Sequence, residues 1–229
     1  MQIKGDFMKN AFTMSEVLIS LAIIGVIATL TIPNLITQYN LKFTETALLK
    51  FYSAMNKAIL LSSIENGPIS KWTFVETEKD ETGTILHDKA SENEVFITKY
   101  LLPHLNINIT NKKIVHLNSS GNETLLYYLS DGSSFAFTSH SNYDLYFFPK
   151  NGFNCLATGK WLGRCGFAFR LNKSSKGMEA YKEGWNETRE TLFSHATLGC
   201  KKTGGMYCTA IIEQNNWKIP DDYPVKIRY

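Results

Sequence analysis

The chain has 229 residues, 20% of them charged and 44% apolar, with a formal net charge of +3. That balance supports a buried core and excludes a disordered polar chain. Lys112-Lys113 and Lys201-Lys202 are isolated basic pairs, which excludes the dense Lys/Arg face of a dedicated nucleic-acid binder.

The N-terminal end is short and weakly basic: Lys4 and Lys9 are partly offset by Asp6, and either Met1 or Met8 serves as a start. The 25 residues from Val17 to Leu41 then carry no charged side chain. As a helix rising about 1.5 Å per residue, they suffice to cross a hydrocarbon core of roughly 30 Å. Glu16 heads this run, where a lone carboxylate inside a bilayer costs about 2.5 kcal/mol or more. It calls for a partner. A secretory signal peptide has an apolar region of roughly 7–15 residues and then a small-residue cleavage site. This run is longer, and no A-x-A-like site precedes Pro33. An ordinary single-pass anchor accounts for everything except Glu16 and the short leader.

The helix is expected to continue past the apolar run. Lys42 to Leu61 contains no Gly or Pro. Leu41, Leu48, Tyr52, Met55 and Ile59 recur on one helical face. Lys42, Glu45, Lys50 and Lys57 are placed away from that stripe, which is read as core. Asn66-Gly67-Pro68 is a stop signal. A continuous helix from Phe12 to Ile64 would be about 80 Å long. Pro33 is expected to bend or locally melt it.

Glu65 to Asn93 reads as a loop region around Trp72-Thr73-Phe74-Val75, and Val95 to Leu102 as a short helix ended by Pro103. Strands are expected from Thr124 onward. Leu125 to Leu129 and Ser133 to Thr138 flank Asp131-Gly132, a hairpin signal. Asp144 to Phe148 and Gly166 to Leu171 follow. The expectation is an antiparallel meander of three or four strands, against which the helix lays its stripe. A short helix from about Met206 to Gln214 comes next, with Trp217 anchoring the tail.

Cys155, Cys165, Cys200 and Cys208 all lie in the last third of the chain. Their spacings do not fit a structural zinc site. Four cysteines allow three connectivities. The local pairs Cys155–Cys165 and Cys200–Cys208 are expected, each loop contributing about 2–3 kcal/mol by the chain-entropy model. His87, His104, His116, His140 and His195 show no ligand spacing. No recognisable catalytic constellation occurs, so a non-enzymatic role is expected.

Ala11-Phe12-Thr13-Met14-Ser15-Glu16-Val17-Leu18-Ile19, followed by Ala22-Ile23-Ile24-Gly25-Val26-Ile27-Ala28, resembles the processing site of type IV pilins and type II secretion pseudopilins. In that family a short basic leader is cut before an aromatic residue, usually Phe, and the new N-terminus is methylated. A Glu stands fifth in the mature chain and a helix-bending Pro near the twenty-second position. Counted from Phe12, Glu16 is fifth and Pro33 twenty-second. Ala11 departs from the usual Gly before the cut.

The resemblance implies a leader over 1–11 and a long helix over 12–64, with a transmembrane segment at about 17–36. It also implies an extracytoplasmic head over 65–229. The implied fold is α+β and pilin-like: a long N-terminal helix on an antiparallel meander with a disulfide-bearing C-terminal region. The implied partners are a prepilin peptidase, other pilin or pseudopilin subunits, a membrane assembly platform and the lipid bilayer, with no nucleic acid indicated. The implied place is the bacterial cytoplasmic (inner) membrane, with the C-terminal domain outside the cytoplasm, and then a periplasmic or surface filament. No cofactor is assigned. Some pseudopilins bind calcium through a C-terminal loop, which makes Asp221 and Asp222 candidates, although two adjacent acids need several more oxygens to form a site.

Two functions are carried forward. In the first, the chain is a filament subunit. Ala11 and Phe12 form the cleavage site, the Phe12 amine is methylated, Glu16 pairs with that amine during assembly, and Pro33 bends the helix. In the second, the chain is a membrane-tethered binding or sensor module that does not polymerise.

Overall fold

A computed structural model describes residues 13–73, 81, 90–105, 108–117, 123–138, 143–172, 174, 177–185, 188–201 and 204–229. The chain falls into two units, one ending at Tyr39 and one spanning Asn40–Tyr229.

Helix α1 runs Met14–Asn66. In the N-terminal unit its side chains are almost all exposed, among them Leu18, Ile24, Leu30 and Leu35. Residues on both sides of Pro33 stay helical, so the local melt expected there is not seen. Proline removes one N–H from the ladder. The flanking turns keep theirs, and the Thr37 hydroxyl adds a 2.9 Å bond to the Pro33 carbonyl.

The second unit is built on a six-stranded antiparallel sheet in strict sequence order. Its strands are β1 (Ile109–His116), β2 (Glu123–Leu129), β3 (Ser134–Phe137), β4 (Asp144–Phe148), β5 (Phe167–Leu171) and β6 (Met178–Ala180). The four central strands are those expected. The two at the edges correct the expected count. β1 carries mostly exposed side chains and shows no apolar alternation. β6 has three residues, too few to set a period.

Side chains alternate across the sheet, and both faces are buried. Leu125, Tyr127, Phe135, Phe137, Phe147, Phe167 and Phe169 join one core with Leu48, Phe51, Met55 and Ile59 of α1. Their neighbours Leu126, Ala136 and Phe148 face the other side, with Trp161 and the first cystine. Ala168 and Ala180 face a third cluster around Tyr207 and the second cystine. That double burial explains why β2 and β3 read as nearly unbroken apolar runs.

The buried stripe of α1 is centred differently from the expected one. Phe51 is 2% exposed and stacks on Phe147 with ring centroids 4.1 Å apart. Tyr52 and Leu41 sit at the margin of the core. Glu45, placed away from the apolar stripe, has a side chain only 14% exposed. It accepts a 2.9 Å bond from the Ile219 N–H. The polar Asn56 covers the free edge of β6: its Oδ1 accepts from the Met178 N–H at 2.8 Å, and its Nδ2 donates to the Met178 carbonyl at 3.1 Å.

Helix α2 (Ala90–Tyr100) begins before the expected Val95 and stops short of Leu102. A 3-10 turn over Leu102–His104 takes up Pro103. Trp72 is buried and stacks on Tyr100 at 4.6 Å. Phe74 and Val75 lie outside the described residues. Short helices α3 (Gly152–Ala157), α4 (Arg189–Ser194) and α5 (Cys208–Gln214) complete the unit. Trp217 packs on Tyr52 at 4.5 Å, the anchoring role expected of it.

Cys155–Cys165 and Cys200–Cys208 are the two disulfides. The loops they close meet at Gly163, whose φ is +71°. A Cβ there would lie 2.2 Å from the Cys208 Sγ, so both the backbone angle and the close approach require glycine.

Candidate functional site

Ala11 and Phe12, the expected cleavage pair, lie outside the described residues. Glu16 lies in the first turn of α1. Its Oε2 accepts from both the backbone N–H and the hydroxyl of Thr13, each at 2.8 Å. The Thr13 Oγ1 in turn accepts from the Glu16 N–H at 3.3 Å. This is a capping box, in which a Thr and a Glu three residues apart satisfy each other's end of the helix. Thr13 is thus the partner that Glu16 calls for at this end of the helix. Its signal was present as Thr13-Met14-Ser15-Glu16, the S/T-x-x-E pattern. A carboxylate in the first turn also complements the helix dipole.

Beyond the cap, α1 is long and apolar enough to cross a membrane, which fits a membrane span or a signal anchor. Its few hydroxyls are satisfied within the helix. Ser20, Thr29 and Thr31 donate to the carbonyls of Glu16, Val26 and Ile27. A lipid-facing surface demands this, because the hydrocarbon offers polar groups no partner.

In the second unit, Asp221 and Asp222 are exposed. The Asp222 carboxylate is occupied by Arg189, whose Nη2 donates to its two oxygens at 2.9 and 3.0 Å. Among the described residues, no three His, Cys, Asp or Glu side chains converge to hold a metal ion. His104 lies 3.5 Å from Glu65. The His195 Nδ1 accepts the Leu198 N–H at 3.2 Å in a turn. His87 and His140 are outside the described residues.

A cleft of about 550 Å³ opens between α3 with its disulfide and the last residues of the chain. Lys150, Lys160, Arg164 and Arg228 line it, beside Asn154 and Tyr229. A second cleft of about 240 Å³ shares Lys160 and Arg164 and adds Lys201. Among the described residues, no Asp or Glu lines either one. The walls are tied together. The Arg228 N–H donates to the Arg164 carbonyl at 3.1 Å, and the Tyr229 and Thr44 hydroxyls bond at 2.6 Å. Burial pushes the Tyr229 phenol pKa up, a shift that its bond to Thr44 partly opposes. This basic constellation was not visible in the sequence, where Lys150 and Arg228 stand far apart.

An apolar N-terminal helix, an antiparallel sheet buried on both faces and two local disulfides place the protein in the α+β class. The chain belongs to a family of unknown function (DUF6613), whose model matches residues 34–227. That match begins after Glu16 and Pro33. No curated protein and no solved structure matches the chain.

Proposed function

We propose that this chain is a structural subunit, a pseudopilin or minor pilin, of a type II secretion or type IV pilus-like filament. It is assembled from the bacterial inner membrane after cleavage between Ala11 and Phe12. One observation carries the reading: a capped carboxylate, Glu16, heads an uncharged helical segment whose apolar side chains are exposed. Beyond capping the helix, an ordinary anchor has no use for that charge.

The cap gives the mechanism its geometry. Both Thr13 bonds end on Oε2, which leaves Oε1 to accept a proton donor. Cleavage frees the amine of Phe12, a cation. In a bundle of apolar helices this amine of one subunit pairs with the Glu16 Oε1 of a neighbour. Removing one member of such a buried pair leaves an uncompensated charge and costs about 3–5 kcal/mol. The pair thereby selects the register in which subunits add, and the apolar segment exchanges lipid for the filament core.

The N-terminal mass of protein recovered from membranes tests processing. A chain starting at methylated Phe12 is expected, and an intact leader from Met1 or Met8 overturns the reading. A pair of substitutions tests Glu16 itself. Glu16→Gln keeps a capping side chain and removes the charge, whereas Glu16→Ala removes both. Both variants are expected to insert in the membrane and to be absent from filaments. Normal incorporation of Glu16→Gln would reduce Glu16 to a helix cap.

The second reading, a tethered binding or sensor module that does not polymerise, is favoured by the two basic clefts, which a purely structural subunit does not need. Under it, both Glu16 variants leave function intact.

A further inference from the structure

The two adjoining clefts gather basic side chains, and Lys201 also borders a hollow lined by Glu190 and Asp222. Among the described residues, Lys150, Lys160, Arg164, Lys201 and Arg228 form no ion pair. Nearby Arg189, by contrast, is held by Asp222. Uncompensated cations lining a concave surface raise the local concentration of anions.

The geometry narrows the kind of anion. Lys160 and Arg164 line both clefts, so the two hollows lie side by side along a shared cationic wall. That suits a chain bearing repeated negative groups better than one small ion. The larger cleft is of the size that takes a small ligand or a short segment of a longer one. Neutral polar groups stand among the charges. Asn151 and Asn154 line the first cleft, and an amide both donates and accepts. Thr158 also lines it. Its hydroxyl donates to the Cys155 carbonyl at 2.8 Å, which leaves its oxygen as an acceptor. A phosphodiester backbone offers only acceptors, whereas sugar hydroxyls donate as well. Single-stranded nucleic acid also stacks on successive aromatic faces. Here Tyr229 is 39% exposed, but Trp161 in the second cleft is buried. The Cys155–Cys165 bond and the main-chain link between Arg228 and Arg164 hold the walls in place, which lowers the ordering cost of binding.

We infer that the adjoining clefts bind an anionic polysaccharide, one carrying carboxylate or sulfate groups along its chain. The inference rests on the second unit alone and holds for a filament subunit and for a tethered module alike.

The experiment titrates the full chain, in a non-ionic detergent, with four probes: a sulfated oligosaccharide, a uronic-acid oligosaccharide, a neutral dextran fragment and a DNA oligonucleotide. Saturable binding of at least one charged oligosaccharide is expected, in preference to DNA and with none to dextran. Which of the two binds identifies the anion as sulfate or carboxylate. Lys150 and Lys160 are exposed, so the double variant Lys150→Gln/Lys160→Gln keeps the fold, which an unchanged thermal melt verifies. Its affinity is expected to fall about ten- to hundredfold, the loss that accompanies removal of charged hydrogen bonds. A matched variant, Lys57→Gln/Lys71→Gln, removes two exposed cations that line neither cleft and is expected to bind as the parent does. Absence of binding to both charged oligosaccharides overturns the inference. So does DNA binding of equal or greater strength, and so does an equal loss in the matched variant, which would mean diffuse charge attraction.

Discussion

Residues 17–36 and residues 44–62 belong to one helix and present opposite surfaces. Ile24 is 62% exposed, and apolar side chains surround that segment on all sides. In the later stretch one face is buried and the other is exposed, with Leu49, Leu60 and Leu61 among the exposed side chains. Leu48, Phe51, Met55 and Ile59 lie on the buried face, and Lys57 lies exposed on the remainder. The difference teaches where each stretch finds its cover. A helix apolar on one stripe is satisfied by one sheet, whereas a helix apolar all round needs lipid or other helices.

The sharpest way to break this comparison is to truncate one side chain from each stretch. Phe51→Ala empties a site walled by Phe135, Phe147 and Phe169. It is expected to destabilise the second unit by about 3–5 kcal/mol. Ile24→Ala is expected to change that stability by less than about 0.5 kcal/mol. Urea melts of the full chain in detergent, followed by near-ultraviolet circular dichroism, compare the two, and equal losses would dissolve the distinction.

A smaller effect sharpens it. Half-buried Asn56 flanks the buried face, and its amide pairs both backbone groups of Met178. Asn56→Ala is expected to cost about 1–3 kcal/mol, the range for stranding buried polar groups. Hydrogen exchange at the Met178 amide is expected to accelerate, and unchanged protection would remove Asn56 from that role.

The smallest effect is electrostatic. Lys50, on the exposed side of α1, lies 2.5 Å from Asp131 in the β2–β3 turn. Burial raises the Asp131 pKa, but hydrogen bonds from Lys50 and Ser133 outweigh it and hold the group below its ordinary 3.8. A carboxyl whose folded pKa is depressed adds stability above its unfolded pKa and loses it as pH falls through the folded value. The contribution is therefore lost below about pH 4. For a pair this exposed it is less than about 1 kcal/mol. Asp131→Asn is expected to flatten the acid limb of the stability curve by that amount.

Much of this arrangement was legible because it rests on local signals. Asn66-Gly67-Pro68 ends α1 where expected, and Asp131-Gly132 makes the β2–β3 turn, with Gly132 at a φ of +82°. The strands β2 to β5 announce themselves as aromatic runs. What escaped depended on distant residues. β1 is a strand because β2 pairs with it over Ile109–His116, not because its own side chains alternate. Phe51 was passed over for Tyr52 because spacing alone does not say which of two adjacent positions faces a sheet. The basic clefts form only when the chain's last residues return to the α3 region. The Thr13–Glu16 cap is different: its pattern was in plain view and was overlooked.

The ends of the sheet carry a consequence for solubility. Every strand pairs with its neighbour in sequence, so β1 and β6 are left with open sides. An open strand is a template for another chain, a hazard that grows wherever many copies are crowded together. The two edges are guarded by unlike means. Asn56 seals β6 with its amide. β1 carries a register shift between Ile109 and Asn111 and the adjacent Lys112 and Lys113, of which Lys112 is paired with Glu94, and such an irregular, charged edge suits a further strand poorly. Both ends of the sheet thus carry features that resist pairing with a further strand.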